Sequence, residues 1–531
     1  MKRWTVFLLA SLFVAFGGCT DSSRGNDAAL EEEPTEVPDE LAFEDSDLTE
    51  VDEDDPSTTP SSRGFDGVLD IALARPSTSL PYDVSMAEQE AVIVSDLLYD
   101  GLTEAVGIEG RLRPGLAADW WPNADFTQWT FALDADRLDL VDLEKDDVVR
   151  HFKALEDQQG ASGLANQTVF GQVAAIDAGP ANELVFTLTQ PNAGFPWLMS
   201  GLVASVVGPN EAPTGRFVIE KESATTLELV PISGGSTKAA FGVSEWVERV
   251  VFHWVDNAEV AYDQLTLTTV DAAVAPASSI EDAQMRFGAR LPARTVSRFY
   301  VLNTDSGQLD EPLLQGAVLA AIDRERIVVE ALQAPTYATD GVVAPTAAGY
   351  RVPNCGAACE HSPEAAEQAV ARYVSATGQT PTLRVGFSDE AQRETAESIA
   401  ADLDRIGMDV ELVELSASAL ADSAAKGGID VYAFGWVAAA GSVDAVVPQL
   451  FGSSSSANPL GFGDDAVDEL LNQAAVTERA NDRWGLLADA HDLALQQGSI
   501  VPIASAKSYL IQPPSGNQLT MRADGSIDFS R

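Results

Sequence analysis

Between Ser362 and Trp436 strand and helix signals alternate, each with its own start and stop, and this pattern restricts the fold more than any other. Ser362-Pro363-Glu364 sets an N-cap residue, a proline at the first helical position and an acid in the first turn, and Gly378 supplies the stop. Leu383, Val385 and Phe387 then alternate as a half-buried strand does. Ser388 opens a helix whose Ala396, Ile399, Leu403 and Ile406 share one face, with Gly407 just past its end. Val410 to Leu415 gives a second strand, a short helix follows, and Ile429 to Trp436 gives a third. Strand, helix, strand, helix, strand predicts a parallel α/β layer, because parallel neighbours need a crossover long enough to hold a helix. In open sheets of this class ligands collect beyond the carboxyl ends of the strands. Phe434, Gly435 and Trp436 occupy such an end and run into the small-residue segment Ala438 to Ser442. Trp436 is therefore either core or the aromatic wall of a cleft.

The first half is mixed and richer in strand and loop. Val68 to Leu73 alternates like a strand, and Pro76 and Pro81 mark a loop. Glu88 to Leu102 places Ala91, Val94, Leu98 and Leu102 on one helical face. Trp129 to Leu133, Leu184 to Thr189 and Thr225 to Val230 have short-strand composition with turn residues between them.

The N-terminus reads as an export signal. Lys2 and Arg3 precede an apolar run from Trp4 to Phe16, about 13 residues against the roughly 20 that span a bilayer. Gly17 and Gly18 then lead into Cys19, the arrangement of a lipoprotein signal cleaved after residue 18, although Phe16 stands where that pattern usually has leucine. Lipidation of Cys19 would hold the chain at the outer face of a membrane or in the periplasm. The alternative is an ordinary cleaved signal. Asp21 to Asp55 carries sixteen acids against one arginine, Arg24, so residues 19–63 are expected to be a disordered linker.

The whole chain has a formal charge of −50, and removing those sixteen acids and one arginine still leaves about −35. Nucleic-acid binding requires a basic footprint, which this balance excludes. Cys355 and Cys359, four apart in an exported chain, are expected to form a disulfide, since metal binding would need more ligands than the nearby His361. His151, His253, His361 and His491 are widely separated, and no H-E-x-x-H, G-x-S-x-G or P-loop pattern occurs. His253 sits in a strand-like run and reads as a hydrogen-bonded, partly buried histidine. Nothing points to an enzyme or to a cofactor or metal.

Several segments, in order, resemble the family 5 extracellular solute-binding proteins of ABC importers, which include dipeptide and oligopeptide receptors. Leu112-Arg113-Pro114-Gly115-Leu116-Ala117-Ala118-Asp119-Trp120 followed by Trp129-Thr130-Phe131 is similar to the family's PGLAxxW…WTF signature, its most specific match. Leu97 to Leu102, Asp146-Asp147-Val148, Leu302-Asn303-Thr304 and Ala320 to Arg324 resemble further family segments. Thr214-Gly215-Arg216-Phe217 resembles a family turn with Arg216 in place of proline. The resemblance implies an α/β fold of two lobes, the type II, cluster C binding-protein architecture. Lobe I would span 64–294 with an inserted subdomain at about 106–200, lobe II 295–497, and residues 498–531 would return to lobe I.

It implies, too, a peptide or other small polar solute held between the lobes of a monomer, delivered to an ABC permease and its ATPase. Trp436 would line the pocket with Phe434. Tyr300 and Asn303 would add polar contacts from lobe II, and Ser85 and Met86, in the loop after Pro81, would add contacts from lobe I. The family's aspartate that pairs with a peptide's ammonium is replaced by Ala439, and Asp444 lies near but out of register. Two other classes remain: a surface sensor or structural lipoprotein without a transport role, and a hydrolase of unrelated fold.

Overall fold

The computed structural model describes residues 67–82, 88–106, 110–157, 168–232, 243–275, 279–287, 292–304, 307–332, 336–388, 390–436, 441–455, 458, 461–512, 519–522 and 525–529. Cys19, the acidic segment, Ser85, Met86 and Ala439 lie outside them.

Strand β1 (Val68–Ala74) runs parallel to two neighbours, one on each side. Its Ile71, Ala72 and Leu73 are fully buried, which explains why its alternation breaks into a continuous apolar run. The following helix, Gln89–Leu98, stops four residues before the predicted Leu102. Tyr99 turns extended there, and Leu102 is buried in a different core from Leu97 and Leu98. Helical spacing alone could not separate these two destinations.

The insert follows. Strand β2 (Thr103–Val106) pairs with β3 (Arg111–Pro114), and β4 (Ala117–Pro122), β5 (Gln128–Leu133), β6 (Val173–Ala178) and β7 (Glu183–Leu188) form a separate antiparallel sheet in the order β4-β5-β7-β6. Phe186 meets Phe131 at 5.7 Å and Phe152 at 5.3 Å, edge to face, so this sheet and the helix Lys145–Asp157 close a core of their own.

Strands β8 (Phe217–Glu222), β9 (Thr226–Pro231), β10 (Arg249–Val255) and β11 (Ala272–Ala275) follow the insert. After them come β12 (Pro292–Leu302), β13 (Thr336–Ala338), β14 (Thr382–Phe387), β15 (Asp409–Glu414) and β16 (Val431–Trp436). As predicted, β14 lies parallel to β15 and β16. The helix Glu390–Arg405 buries Ala396, Ile399 and Leu403 completely, each larger side chain contributing roughly 1.5–3 kcal/mol. The helix Pro363–Thr377 ends at Gly378 with φ 71°, a left-handed stop that favours glycine, whereas Ser362 makes no side-chain cap.

The two lobes are not separate layers. Strand β17 (Ile500–Ile511) pairs antiparallel with β12 from Val301 down to Pro292, then with β11 through Tyr509 to Ile511. One eleven-stranded sheet thus runs through both lobes, in the order β15-β14-β16-β12-β17-β11-β1-β10-β9-β8 with β13 on β17. Among the described residues, no helix is long and apolar enough to cross a membrane.

The C-terminal residues are fastened to lobe I by charge as well as packing. Arg522 pairs with Glu104, which also receives Arg113 at 2.6 Å and Arg216 at 3.3 Å. Arg216, in the turn before β8, pairs with Asp96 besides. The charge-balanced cluster explains how arginine is accommodated, 2% exposed, in that turn.

Candidate functional site

Two cavities flank lobe II where it faces the insert and where its parallel strands end. The larger, about 400 Å³, lies at a seam: Gln172, Gln190 and Asn192 come from the insert, and Gln449, Ser453 and Asn472 from lobe II. That volume falls within the range of small-molecule sites. The walls are joined directly, since Ala193 N–H donates to the carbonyl of Ala475 at 2.8 Å and Ser454 Oγ to Gln190 Oε1 at 3.3 Å.

Asp444 anchors the seam from below. It accepts hydrogen bonds from Arg483 Nε at 2.7 Å, Trp484 Nε1 at 2.7 Å and Ser442 Oγ at 2.8 Å. The Arg483 guanidinium also donates to the carbonyls of Thr477 and Glu478 and lies 4.6 Å from the centroid of Trp197, an insert residue. Trp197 in turn donates to the carbonyl of Gly110 at 2.8 Å and meets Trp484 edge to face at 6.1 Å. The carboxylate's capacity is thus taken up by protein donors, and its effect is to join insert and lobe II. Gly194 is required here, because a Cβ at that position would stand 2.4 Å from Asp444 Oδ1.

The smaller cavity, about 170 Å³, lies beside the carboxyl-terminal half of β16. Arg298 and Tyr300 of β12, Ala433 and Gly435 of β16, Thr395 of the Glu390–Arg405 helix and Ile503 of β17 line it. Phe299 and Phe434 line it as well, with ring centroids 5.4 Å apart, so part of its wall is aromatic. A register shift between Arg298 and Phe299 leaves Ile503 as the extra residue of a bulge, the kind of irregularity that re-aims a neighbouring side chain.

The structure distributes the sequence-predicted residues as follows. Tyr300 and Phe434 border the smaller cavity, and Asp444 borders the larger. Asn303 borders neither: its amide nitrogen donates to the carbonyls of Ala424 at 2.7 Å and Ile429 at 3.1 Å, fixing the turn before β16. Of Trp436 the structure describes the backbone, opposite Ser297 at the end of β16. His253 bonds Asp70 at 2.6 Å, as its partly buried strand position implies. Cys355 and Cys359 are disulfide-bonded, with Cα atoms 5.7 Å apart and Asp340 beside them. Sequence reasoning missed Arg298, Arg483 and Trp197. Only Arg298 carried a signal: a cation directly before the apolar run Phe299 to Leu302, in phase with Tyr300.

Two lobes in one continuous sheet, an insert, and a polar cavity walled from both sides define a two-lobed solute-binding fold. The chain belongs to the bacterial extracellular solute-binding proteins of family 5, whose middle-region family model matches residues 111–458. It is 22% identical over 486 residues to the probable di/tripeptide-binding protein 5 of Pseudomonas aeruginosa, covering 82% of this chain and 90% of that protein. Among solved structures it is similar to HbpA2 from Haemophilus parasuis, at 19% identity and TM-score 0.73, covering 87% and 98% of the two chains. The DppA protein from Helicobacter pylori in complex with the peptide STSA is similar at 18% identity and TM-score 0.65, covering 88% and 97%. At these identities the solved structures establish the fold alone.

Proposed function

We propose that this protein is the extracytoplasmic receptor of an ABC importer, tethered through a lipid on Cys19, that captures a peptide or other small polar solute between its lobes. The observation that carries this reading is the 400 Å³ cavity walled by both insert and lobe II, in a molecule whose backbone passes between the lobes at β12 and β17. Such a seam can open and close by hinge motion, and a solute that contacts both walls favours the closed form by its difference in affinity. A permease and its ATPase would then read closure. Lobe I is assigned to 64–294 with the insert at about 106–200, lobe II to 295–497, and the return to 498–531.

Family membership and relatives named for peptide binding support a peptide-sized solute. Ala439, in place of the family's acid, removes one charge-assisted bond to a ligand ammonium, a loss of about 1.5–3 kcal/mol. The ligand's amino group is therefore not the expected anchor. Native mass spectrometry of the gently purified full chain tests the reading. A retained peptide or small solute is expected, with a thermal shift on re-addition. Absence of any bound or rebinding solute across peptides, sugars, organic acids and metal chelates would overturn it.

A further inference from the structure

The chain has 82 acidic residues against 32 Lys and Arg, so most of its arginines find carboxylates. Among the arginines whose side chains the structure describes, Arg111, Arg298 and Arg372 make no ion pair with a described acid, and Arg111 and Arg372 are exposed. Arg298 is half-buried. It makes no hydrogen bond to any described residue and lines the 170 Å³ cavity beside Tyr300, Thr395 and Ile503. The buried part of Arg298 gives up hydration that no described acid replaces, in a chain where acids outnumber Lys and Arg 82 to 32.

Three features agree on what the partner is. The guanidinium fork matches a carboxylate in two parallel bonds. The cavity beside it is comparable in volume to an apolar void of about 150 Å³ that admits a benzene ring. It lies beside the carboxyl-terminal half of β16, where ligands of open α/β sheets collect, and Ile503, the extra residue of the bulge, lines it together with Arg298.

We propose that Arg298 is the anchor for a ligand carboxylate, and that the cavity beside it takes a ring-sized apolar group adjacent to that carboxylate. The inference rests on the receptor reading, assigns the solute's acid end to this smaller cavity rather than to the seam cavity, and names its class: an arylalkyl carboxylic acid, free or as the C-terminal residue of a short peptide. It places recognition at the acid end of the solute, whereas Ala439 leaves the amino end without its charged contact.

Calorimetric titration of the full-length chain in mild detergent at low salt tests this, using 3-phenylpropanoate, Ala-Phe, and their amides. The acid or the peptide, or both, are expected to bind, and the matching amide at least ten times more weakly, as loss of a charge-assisted pair implies. Preference for the peptide over phenylpropanoate assigns the carboxylate to a peptide terminus; the reverse assigns it to a free acid. Arg298→Gln is expected to lower acid affinity ten- to a hundredfold while leaving amide affinity and the melting temperature nearly unchanged, with Arg298→Lys intermediate. Thr395→Phe, which fills the cavity, should cost affinity for the phenyl compounds and spare Ala-Gly.

Equal binding of acid and amide, or acid binding unaffected by Arg298→Gln, overturns the proposal. If the retained native solute proves neutral or cationic and binds Arg298→Gln normally, the receptor reading stands and this one falls. If nothing binds the wild-type chain, both fall.

Discussion

Asp444 and Arg483 form an ion pair 2.7 Å long, 39 residues apart in sequence, with side chains only 5% and 1% exposed. Trp197 of the insert covers the guanidinium, so the pair belongs to both sides of the seam. Removing one partner strands the other as a buried charge. Asp444→Ala is expected to cost about 3–5 kcal/mol in urea unfolding, and Arg483→Leu a similar amount. The double replacement Asp444→Leu with Arg483→Met should recover much of the loss; strictly additive losses would show that the pair is not coupled.

Gly194→Ala tests the seam more gently. Its added methyl would meet the Asp444 carboxylate at 2.4 Å. The expected result is a larger radius of gyration in X-ray scattering with lobe-internal packing kept. An unchanged radius together with unchanged stability would show that the contact tolerates the methyl.

Acid sensitivity should track two buried groups. Burial, with Arg351 adding to it, pushes His491 down to about 3 from 6.5, and its Nε2 accepts from Val342 N–H. A folded value below the unfolded one means that stability is full above pH 6.5. It declines as pH falls toward about 3, by up to about 1.4 kcal/mol per pH unit. His491→Gln should flatten the stability profile in that window. For Glu104, burial pushes the carboxyl up, but Arg522 and Arg216 outweigh it and hold the group at about 2 against 4.5. Its contribution is present above 4.5 and is lost only as pH falls toward 2, so Glu104→Gln should lower stability at pH 7 and steepen nothing above pH 5.

Cys355→Ser with Cys359→Ser opens a small loop. Closing a loop of five residues restrains the unfolded chain by about 2 kcal/mol, so the urea midpoint should fall accordingly and reductant should mimic the change. Cys19→Ser is expected to move the protein from the membrane to the soluble fraction with solute binding intact. Retention at the membrane would refute lipid tethering.

The β14 to β16 layer was legible because each of its signals is local: the alternation of each strand and the one-face stripe of the 16-residue Glu390–Arg405 helix are contained within a single element. The extent of the sheet was not. The partners of β12 and β17 are separated by some two hundred residues, and no local period records which distant strand completes a pairing. The same holds for the site. Asp444 was visible as an acid near a strand end, but its committed state depends on Arg483 and Trp484, which a helix 36 residues later presents. Asn303 was visible as a polar residue closing a strand, yet its amide is spent on the turn before β16. Arg298 shows the converse: its interest lies in a missing neighbour, and a sequence names residues without saying which will be left alone.

Strand β17 has one more consequence, for the order in which the protein can be completed. Its pairing with both β11 and β12, and the burial of Leu519, Ile527 and Phe529 against the lobe I core, place the last strand and tail in the half of the molecule that begins the chain. During synthesis or passage across a membrane, the amino-terminal lobe must wait, with an open sheet edge and an unfilled core, until the final residues arrive. A protein built this way stays unfinished until β17 and the residues packed with Leu519, Ile527 and Phe529 have been made, and only then can its two halves form the closed core that a bound solute needs.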